Sequence, residues 1–229
     1  MNLVIKDLNK SFEDKKVIID GNFSFEEGKI YALLGRNGAG KTTLFNIING
    51  DLPKDSGECL LDGTPIDYVD IGYVVSTPNV PEFLTGREFL KFFIDINENN
   101  INDLKSIDDY FDMVTILPED RDKLLKDYSH GMKNKMQMLV NFISNPKVLL
   151  LDEPLTSLDV VVAEEMKELL KSMKENHILI FSTHIMELAL SLCDEIVILN
   201  NGSLSLVDKS DKNDGELKDY IISCLKGDE

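Results

Sequence analysis

The chain has 229 residues, which is enough for one large domain or for a core that carries an insertion. Its formal net charge of −17 argues against a nucleic-acid partner, because binding a polyanion would oppose the field of the whole molecule. No apolar run approaches the roughly 18 residues that span a membrane, and the N-terminal segment does not resemble a signal peptide, so we expect any membrane role to depend on another chain. The three cysteines lack metal-ligand spacing and are typical of reduced thiols in a cytoplasmic protein: Cys59, Cys193 and Cys224.

A glycine-rich loop follows three predicted strands, at residues 3–8, 17–25 and 29–34. Residues 44–48, after the loop, are apolar at helical spacing. The loop itself has a glycine, four residues, then glycine, lysine and threonine: Gly35, Arg36, Asn37, Gly38, Ala39, Gly40, Lys41, Thr42 and Thr43. Glycines let backbone N–H groups face an anion, and the helix start adds positive potential. The pattern predicts a nucleotide site in which Lys41 reaches the β- and γ-phosphates, Thr42 binds Mg²⁺ and Thr43 lies near the α-phosphate.

Phe12 follows the first predicted strand, after Lys10 and Ser11, and lies roughly 20 residues before this loop. A single phenylalanine at such a position is as often part of the core as part of a site. If the loop binds a nucleotide, the ring could instead stack on the base, and base stacking is worth about 1–3 kcal/mol. The spacing alone leaves both readings open.

Helix signals replace strand signals from residue 82 to residue 127. Short strands are predicted just before this segment, at 59–62 and 71–75. Thr85 and Glu88 form a capping-box pattern at the start of a predicted helix over 88–96, and a second helix is predicted over 106–114. We therefore expect a helical insertion in an α/β core.

Two carboxylates end a strongly apolar strand later in the chain. Ser129 is the predicted cap of a helix that runs to about residue 144, and the helix start is a second possible anion site. The apolar run at 148–151 is typical of a buried parallel strand. Asp152 and Glu153 follow it directly, where α/β sheets place their chemistry and where a phosphate loop needs a carboxylate for magnesium.

The last third of the chain has one further candidate for the same edge of the sheet. A helix is predicted over 160–175 and a buried strand over 177–181. His184 follows that strand, and its position makes it a candidate sensor of the γ-phosphate, although a lone histidine after a strand is usually structural. A strand at 195–199 and a helix at 216–225 complete the prediction.

Taken together, these residues resemble the nucleotide-binding domain of ABC transporters over nearly the whole chain. The resemblance implies an α/β fold, with a P-loop NTPase core, an antiparallel β subdomain and an inserted α-helical subdomain at about 77–144, all within one domain over 1–229. Residues 35–43 look like the Walker A loop, residues 149–153 like the Walker B strand and residues 157–159 like the D-loop. The ATP contacts implied are Phe12, Gly35, Asn37, Gly38, Ala39, Gly40, Lys41, Thr42, Thr43, Ser129, Gly131 and Asp159.

The same resemblance assigns the chemistry. Glu153 is expected to orient and polarise the attacking water, and His184 to hold the γ-phosphate and the water in line. Thr42 and Asp152 are expected to bind Mg²⁺, with Ser76 in the place where the family has a glutamine. The chain's only glutamine is Gln137, far downstream.

The signature segment at 128–132 departs from the family pattern Leu-Ser-Gly-Gly-Gln. Ser129 and Gly131 are retained, whereas Tyr128, His130 and Met132 differ. Signatures of this form resemble those of ABC-2-type cassettes, in which the ATPase pairs with a separate membrane subunit, often for export or resistance.

The expected function is therefore ATP hydrolysis with Mg²⁺, coupled to transport. The resemblance implies a homodimer, or pairing with a second cassette, that closes head to tail over two ATP molecules. A separate transmembrane permease would hold the chain at the inner face of the cell membrane. A soluble ABC ATPase, for example in iron–sulfur assembly, is the alternative. An ABC factor that acts on nucleic acid is disfavoured, because such proteins usually have two cassettes or a long coiled coil.

Overall fold

The computed structural model describes residues 1–98, 101, 104–155, 158, 160–209 and 214–226, and these residues form two sheets and their covering helices. The first sheet is antiparallel and consists of β1 (Asn2–Phe12), β2 (Lys15–Glu26), β4 (Ser56–Leu61) and β5 (Thr64–Pro65), in the order β2-β1-β4-β5. The second consists of β3 (Lys29–Leu34), β6 (Ile71–Val74), β7 (Val148–Asp152), β8 (Ile178–Thr183), β9 (Glu195–Asn200) and β10 (Ser203–Leu206), in the order β10-β9-β3-β8-β7-β6.

The second sheet is parallel except at its β10 edge. Every residue of β7 and β8 is buried, which explains their apolar sequences, because a parallel sheet is covered on both faces. The register pairs Leu34 with Thr183 and Asp152 with Ser182. The carboxyl ends of β3, β7 and β8 therefore meet at one edge, and the residues that follow these strands are brought together there.

The helices confirm most of the predicted elements. They are α1 (Lys41–Ile48), α2 (Gly86–Asn97), α3 (Ile107–Met113), α4 (His130–Ser144), α5 (Val160–Met173), α6 (Met186–Leu192) and α7 (Asp214–Lys226). Thr85 and Ser106 form complete capping boxes at the starts of α2 and α3, and Ser129 caps α4. Three of these elements were not predicted, α6, β5 and β10, and α5 ends earlier than expected in a short 3₁₀ turn.

Two apolar cores organise the packing. One joins the antiparallel sheet, α1 and one face of the parallel sheet, around Phe25, Leu33 and Phe45. The other joins the opposite face of the parallel sheet to the remaining helices, around Phe111 and Phe181. The predicted α/β class with an antiparallel part is confirmed, whereas the division into subdomains with an insertion at about 77–144 stays a proposal. Within the part of the chain that the structure describes, no helix has both the length and the apolar character needed to cross a bilayer.

Candidate functional site

A cavity of about 410 Å³ lies at the carboxyl edge of the parallel sheet. Most of the predicted site residues line it, together with two residues of β2: Phe12, Lys15, Val17, Asn37, Gly38, Gly40, Lys41, Thr42, Thr43, Ser76, Asp152 and Glu153. Gly35 and His184 line an adjoining cavity beside Asn37, and Ala39 lines another. The fold thus gathers residues from widely separated parts of the sequence around the predicted phosphate loop.

The backbone of this loop explains its glycines. Gly38 and Gly40 have positive φ angles of 80° and 106°, a region that side chains rarely adopt. A Cβ on Gly40 would lie 2.7 Å from Val17 Cγ1, and one on Gly35 would lie 2.8 Å from the Leu199 carbonyl oxygen. The loop leads directly into the first turn of α1, whose free N–H groups and dipole favour an anion. The cradle therefore fits a nucleotide phosphate.

Lys41 begins α1 and is only 7% exposed. Its ammonium group donates to the Gly35 carbonyl oxygen at 2.9 Å and lies 3.6 Å from Glu153 Oε1. The long side chain therefore folds back over its own loop. This places a positive charge between the loop and the Glu153 carboxylate.

Asp152 is buried and accepts two hydrogen bonds from hydroxyl groups. Thr42 Oγ1 donates to Oδ2 at 2.7 Å, and Ser182 Oγ donates to Oδ1 at 2.5 Å. The Ser182 hydroxyl also accepts the Glu153 backbone N–H at 3.0 Å. Sequence reasoning did not assign Ser182, and only its place in the Ser-Thr-His end of β8 could have pointed to it.

Glu153 links the phosphate loop to His184. Both carboxylate oxygens lie 3.0 Å from His184 Nδ1, while Oε1 also faces Lys41. Glu153 has a positive φ of 50°, which turns its side chain away from the line of β7. An ionised carboxylate only accepts hydrogen bonds, so this contact requires the proton on Nδ1. A neutral imidazole has one N–H, and His184 can then donate to Glu153 or to a phosphate oxygen, but not to both.

Phe12 ends β1 and Ser76 follows β6, and both residues line the cavity. The Phe12 ring is 45% exposed and belongs to neither core, so the structure places it at the cavity. Lys10 Nζ lies 5.2 Å from the centre of the ring. Ser76 is exposed and lines the same cavity as Thr42 and Asp152.

The signature residues Ser129 and Gly131 do not line this cavity. Ser129 caps α4 and accepts the Met132 N–H at 3.2 Å. A Cβ on Gly131 would meet Leu158 and Val162 only at 3.7 Å, so a small side chain would fit there. Asp159 and Ser157, predicted for the D-loop, lie outside the described residues.

Tyr128 explains one departure from the family signature. Its ring is buried, and its hydroxyl group donates to the Asp120 carbonyl oxygen at 2.9 Å. Burial and the nearby Asp120 carboxylate raise the pKa of Tyr128 to about 12, which keeps the hydroxyl protonated as a donor. The residue therefore anchors the start of α4 rather than contacting a ligand.

The cavity also fits a magnesium ion. Mg²⁺ takes oxygen ligands and is usually held by one or two carboxylates together with substrate phosphates. Thr42 and Asp152 present a hydroxyl and a carboxylate that already lie within hydrogen-bond distance of each other. Within the described ranges, no group of three or more His, Cys, Asp or Glu side chains could hold a metal by itself.

Comparison with known proteins now identifies the family. The family model "ABC transporter" matches residues 19–156, which include the phosphate loop and Glu153. The chain is 32% identical over 206 residues to the Bacillus subtilis (strain 168) "Uncharacterized ABC transporter ATP-binding protein YxlF", a match that covers 89% of this chain and 69% of that protein. This chain belongs to the ABC transporter family.

Solved structures of ABC cassettes share the fold. The structure of cbiO1 from Clostridium perfringens, part of the ABC transporter complex cbiONQ, is 27% identical with a TM-score of 0.74, and covers 98% of this chain and 92% of its own. The ATP-binding cassette MJ0796, a dimer bound to ADP and Pi, is 20% identical with a TM-score of 0.76 over 90% of this chain and 99% of its own, and supports the fold alone. The P-loop NTPase fold expected from the resemblance is therefore confirmed for this ABC cassette.

The first prediction compares the contribution of Ser76 to magnesium-dependent hydrolysis with that of Asp152, the partner of Thr42. Serine is shorter than glutamine by about two heavy atoms, and Mg²⁺ demands ligands at about 2.0–2.1 Å while readily keeping waters. A bridging water costs only about 0–2 kcal/mol. We expect Ser76→Ala to lower magnesium-dependent ATP hydrolysis by less than about threefold, and Asp152→Ala to lower it by about 10²-fold or more.

Steady-state ATP hydrolysis at varied Mg²⁺ measures both variants, and thermal unfolding monitors their folding. A Ser76→Ala variant as inactive as Asp152→Ala, together with a Mg-ATP structure that has the serine hydroxyl bound to the metal, would show that the loop has closed in to make Ser76 a direct ligand.

Proposed function

We propose that this chain is the ATP-binding and ATP-hydrolysing subunit of a membrane ABC transporter, an ABC-2-type exporter or resistance system driven by dimer closure. The observation that carries the proposal is the position of the Glu153 carboxylate. It lies between the Lys41 ammonium group and His184 at the wall of the phosphate-loop cavity. A carboxylate in this position can act on a water molecule next to a phosphate in the loop.

Positioning and charge stabilisation do most of the work in phosphoryl transfer. The loop N–H groups and Lys41 bind the phosphates, and Thr42 and Asp152 would hold Mg²⁺. The metal would supply positive charge against the phosphate oxygens. Glu153 orients the attacking water and takes up its proton at the carboxylate. His184 donates a hydrogen bond from its imidazole and keeps the water and the γ-phosphate in line.

A second copy of the cassette would complete the site. The chain has one phosphate loop, but the capped start of α4 presents a further anion site with Ser129 and Gly131 that lies outside its own cavity. In a head-to-tail pair, each α4 would face the γ-phosphate held by the other chain. ATP would then favour the closed pair, and hydrolysis would remove the contacts that hold it closed.

The membrane partner is supported by an apolar surface near α2. Phe83 is 80% exposed just before α2, and Phe92 and Ile96, one turn apart on α2, are 57% and 62% exposed. Exposed apolar side chains of this size, two of them one turn apart on the same helix, are typical of interaction surfaces. We assign this surface to a separate transmembrane permease that holds the chain at the cytoplasmic face of the membrane.

The second prediction concerns Glu153. Glu153→Gln keeps the size of the side chain but removes the negative charge and the proton acceptor. We expect ATP binding to be preserved, hydrolysis to fall by about 10²-fold or more, and the dimer to persist because the γ-phosphate stays bound. Size-exclusion chromatography with Mg-ATP, together with hydrolysis assays, measures this. Near-normal turnover of the purified variant would rule out the role of Glu153.

The third prediction concerns the composite site. A mixture of Lys41→Ala and Ser129→Ala chains forms mixed dimers in which one site is intact and the other has both lesions. A one-to-one mixture should recover about a quarter of the wild-type rate if a single site can turn over, whereas each variant alone is inactive. ATP binding at the intact site provides a second measurement. A crystal structure in which Ser129 contacts the ATP of its own chain would overturn this arrangement.

The fourth prediction tests the membrane partner. In cells that produce the cognate permease, Phe83→Ser combined with Phe92→Ser should reduce the membrane-bound fraction of the chain severalfold, because polar side chains weaken an apolar contact. The ATPase rate of the purified double variant should not change. Leu206→Ser, at an exposed apolar residue on β10, is the matched control. A wild-type chain that fractionates entirely in the soluble phase would instead favour a soluble ABC ATPase.

A further inference from the structure

The loop that follows β6 is held by a side chain from a distant helix. The Gln137 side chain, in α4, donates from Nε2 to the Val75 carbonyl oxygen at 3.0 Å. Its Oε1 accepts the Asn79 backbone N–H, also at 3.0 Å. These two bonds enclose Ser76, which lines the cavity with Asp152 and Glu153. We call this pair of hydrogen bonds the Gln137 clamp.

The chemistry of the amide suits this task. A glutamine amide has a donor and an acceptor at its end, and here both are used on the backbone of one short loop. Gln137 is only 6% exposed, whereas Ser76, Thr77 and Asn79 are exposed. Loss of the amide would remove both of these bonds and leave the Val75 carbonyl oxygen and the Asn79 N–H without this partner. The clamp therefore ties an exposed loop to a buried anchor.

The anchor of the loop is Gln137 on α4. This helix begins at His130, and Gln137 lies about 12 Å along the helix axis from the cap residue Ser129. Asn141, one turn beyond Gln137, donates to the Gln137 carbonyl oxygen at 2.8 Å. The Asn141 Oδ1 atom is so close to β6 that a Cβ on Gly72 would lie 2.4 Å from it. α4 is thus packed against the strand from which the loop emerges.

We propose that Gln137 is a positioning residue that fixes the Ser76 loop to α4. The loop wall of the cavity then moves with the helix whose start carries Ser129 and Gly131. Ser76 is thereby kept at the cavity wall by the backbone of its loop. The catalytic part of this inference rests on the proposed ATPase function, whereas the clamp itself does not.

Amide exchange measures the clamp without nucleotide. Gln137→Met keeps the length of the side chain and removes both hydrogen bonds. We expect hydrogen exchange at the Asn79 N–H, followed by NMR, to become at least about tenfold faster because the loop opens locally. Lys135→Met is the matched control, since it also replaces a buried polar side chain on α4 by an apolar one, but the Lys135 ammonium group bonds Glu165 and the Thr115 carbonyl oxygen rather than the loop. It should leave Asn79 exchange within about twofold of wild type.

ATP hydrolysis measures the consequence. Gln137→Met should lower kcat by about three- to tenfold, more than Ser76→Ala does, because it frees the whole loop rather than removing one hydroxyl. The KM for ATP should change by less than about twofold, since the phosphate loop is untouched. Lys135→Met should leave both constants near wild type. A purely structural role of Gln137 would not produce this split between kcat and KM.

Each result of the exchange and hydrolysis experiments either supports or overturns the proposed role of Gln137. Unchanged Asn79 exchange in Gln137→Met overturns the clamp, and faster exchange with unchanged kcat overturns its positioning role. If Gln137→Met does not fold, Gln137→Asn replaces it, because that amide is one methylene too short to reach both loop groups. If the wild-type chain hydrolyses no ATP, the proposed function fails, while the exchange experiment still decides whether the clamp exists.

Discussion

The site depends on one buried carboxylate, Asp152. A buried charge is costly unless it is paired or hydrogen-bonded, and Asp152 meets this requirement with the hydroxyl groups of Thr42 and Ser182. These partners come from the first turn of α1 and from β8, so the carboxylate fixes the phosphate loop, β7 and β8 against one another. The same oxygens are the magnesium ligands expected of an ABC cassette. The interaction that stabilises the sheet edge is therefore also the one that a metal would use.

Glu153 has a strained backbone conformation at this edge of the sheet. A non-glycine residue in the left-handed region costs about 1–3 kcal/mol, and Glu153 has a φ of 50°. Its N–H is bonded by the Ser182 hydroxyl, which offsets part of this cost. The turn directs the Glu153 carboxylate toward Lys41 and His184 instead of along β7. Ser182 thus supports both residues, because its hydroxyl group donates to the Asp152 carboxylate and accepts the backbone N–H of Glu153.

Local sequence patterns predicted the phosphate loop, the buried strands and the helix caps. Contacts between residues that are far apart in the chain were not predicted. The glycine spacing predicted the phosphate loop, apolar runs predicted β7 and β8, and the residues before α2 and α4 predicted their caps. Ser182 and Gln137 could not be predicted, because each acts only through the pairing of segments far apart in the chain. The elements α6 and β10 were missed for another reason, since both are short and β10 is largely exposed. The role of Asp159 stays a prediction.

The large negative net charge of the chain does not prevent nucleotide binding, because salt screens exposed charges that are far from the cavity. Screening at physiological ionic strength reduces interactions between exposed charges beyond about 8 Å. The cavity wall contains Lys15 and Lys41 as well as the carboxylates of Asp152 and Glu153, and Lys16 and Arg36 line the adjoining cavity. The loop N–H groups and the start of α1 add positive potential at the same place. A small anion that enters the cavity experiences this local field, whereas an extended polyanion must also cover acidic surface. The same chain can therefore bind ATP while its overall charge of −17 opposes binding to nucleic acid.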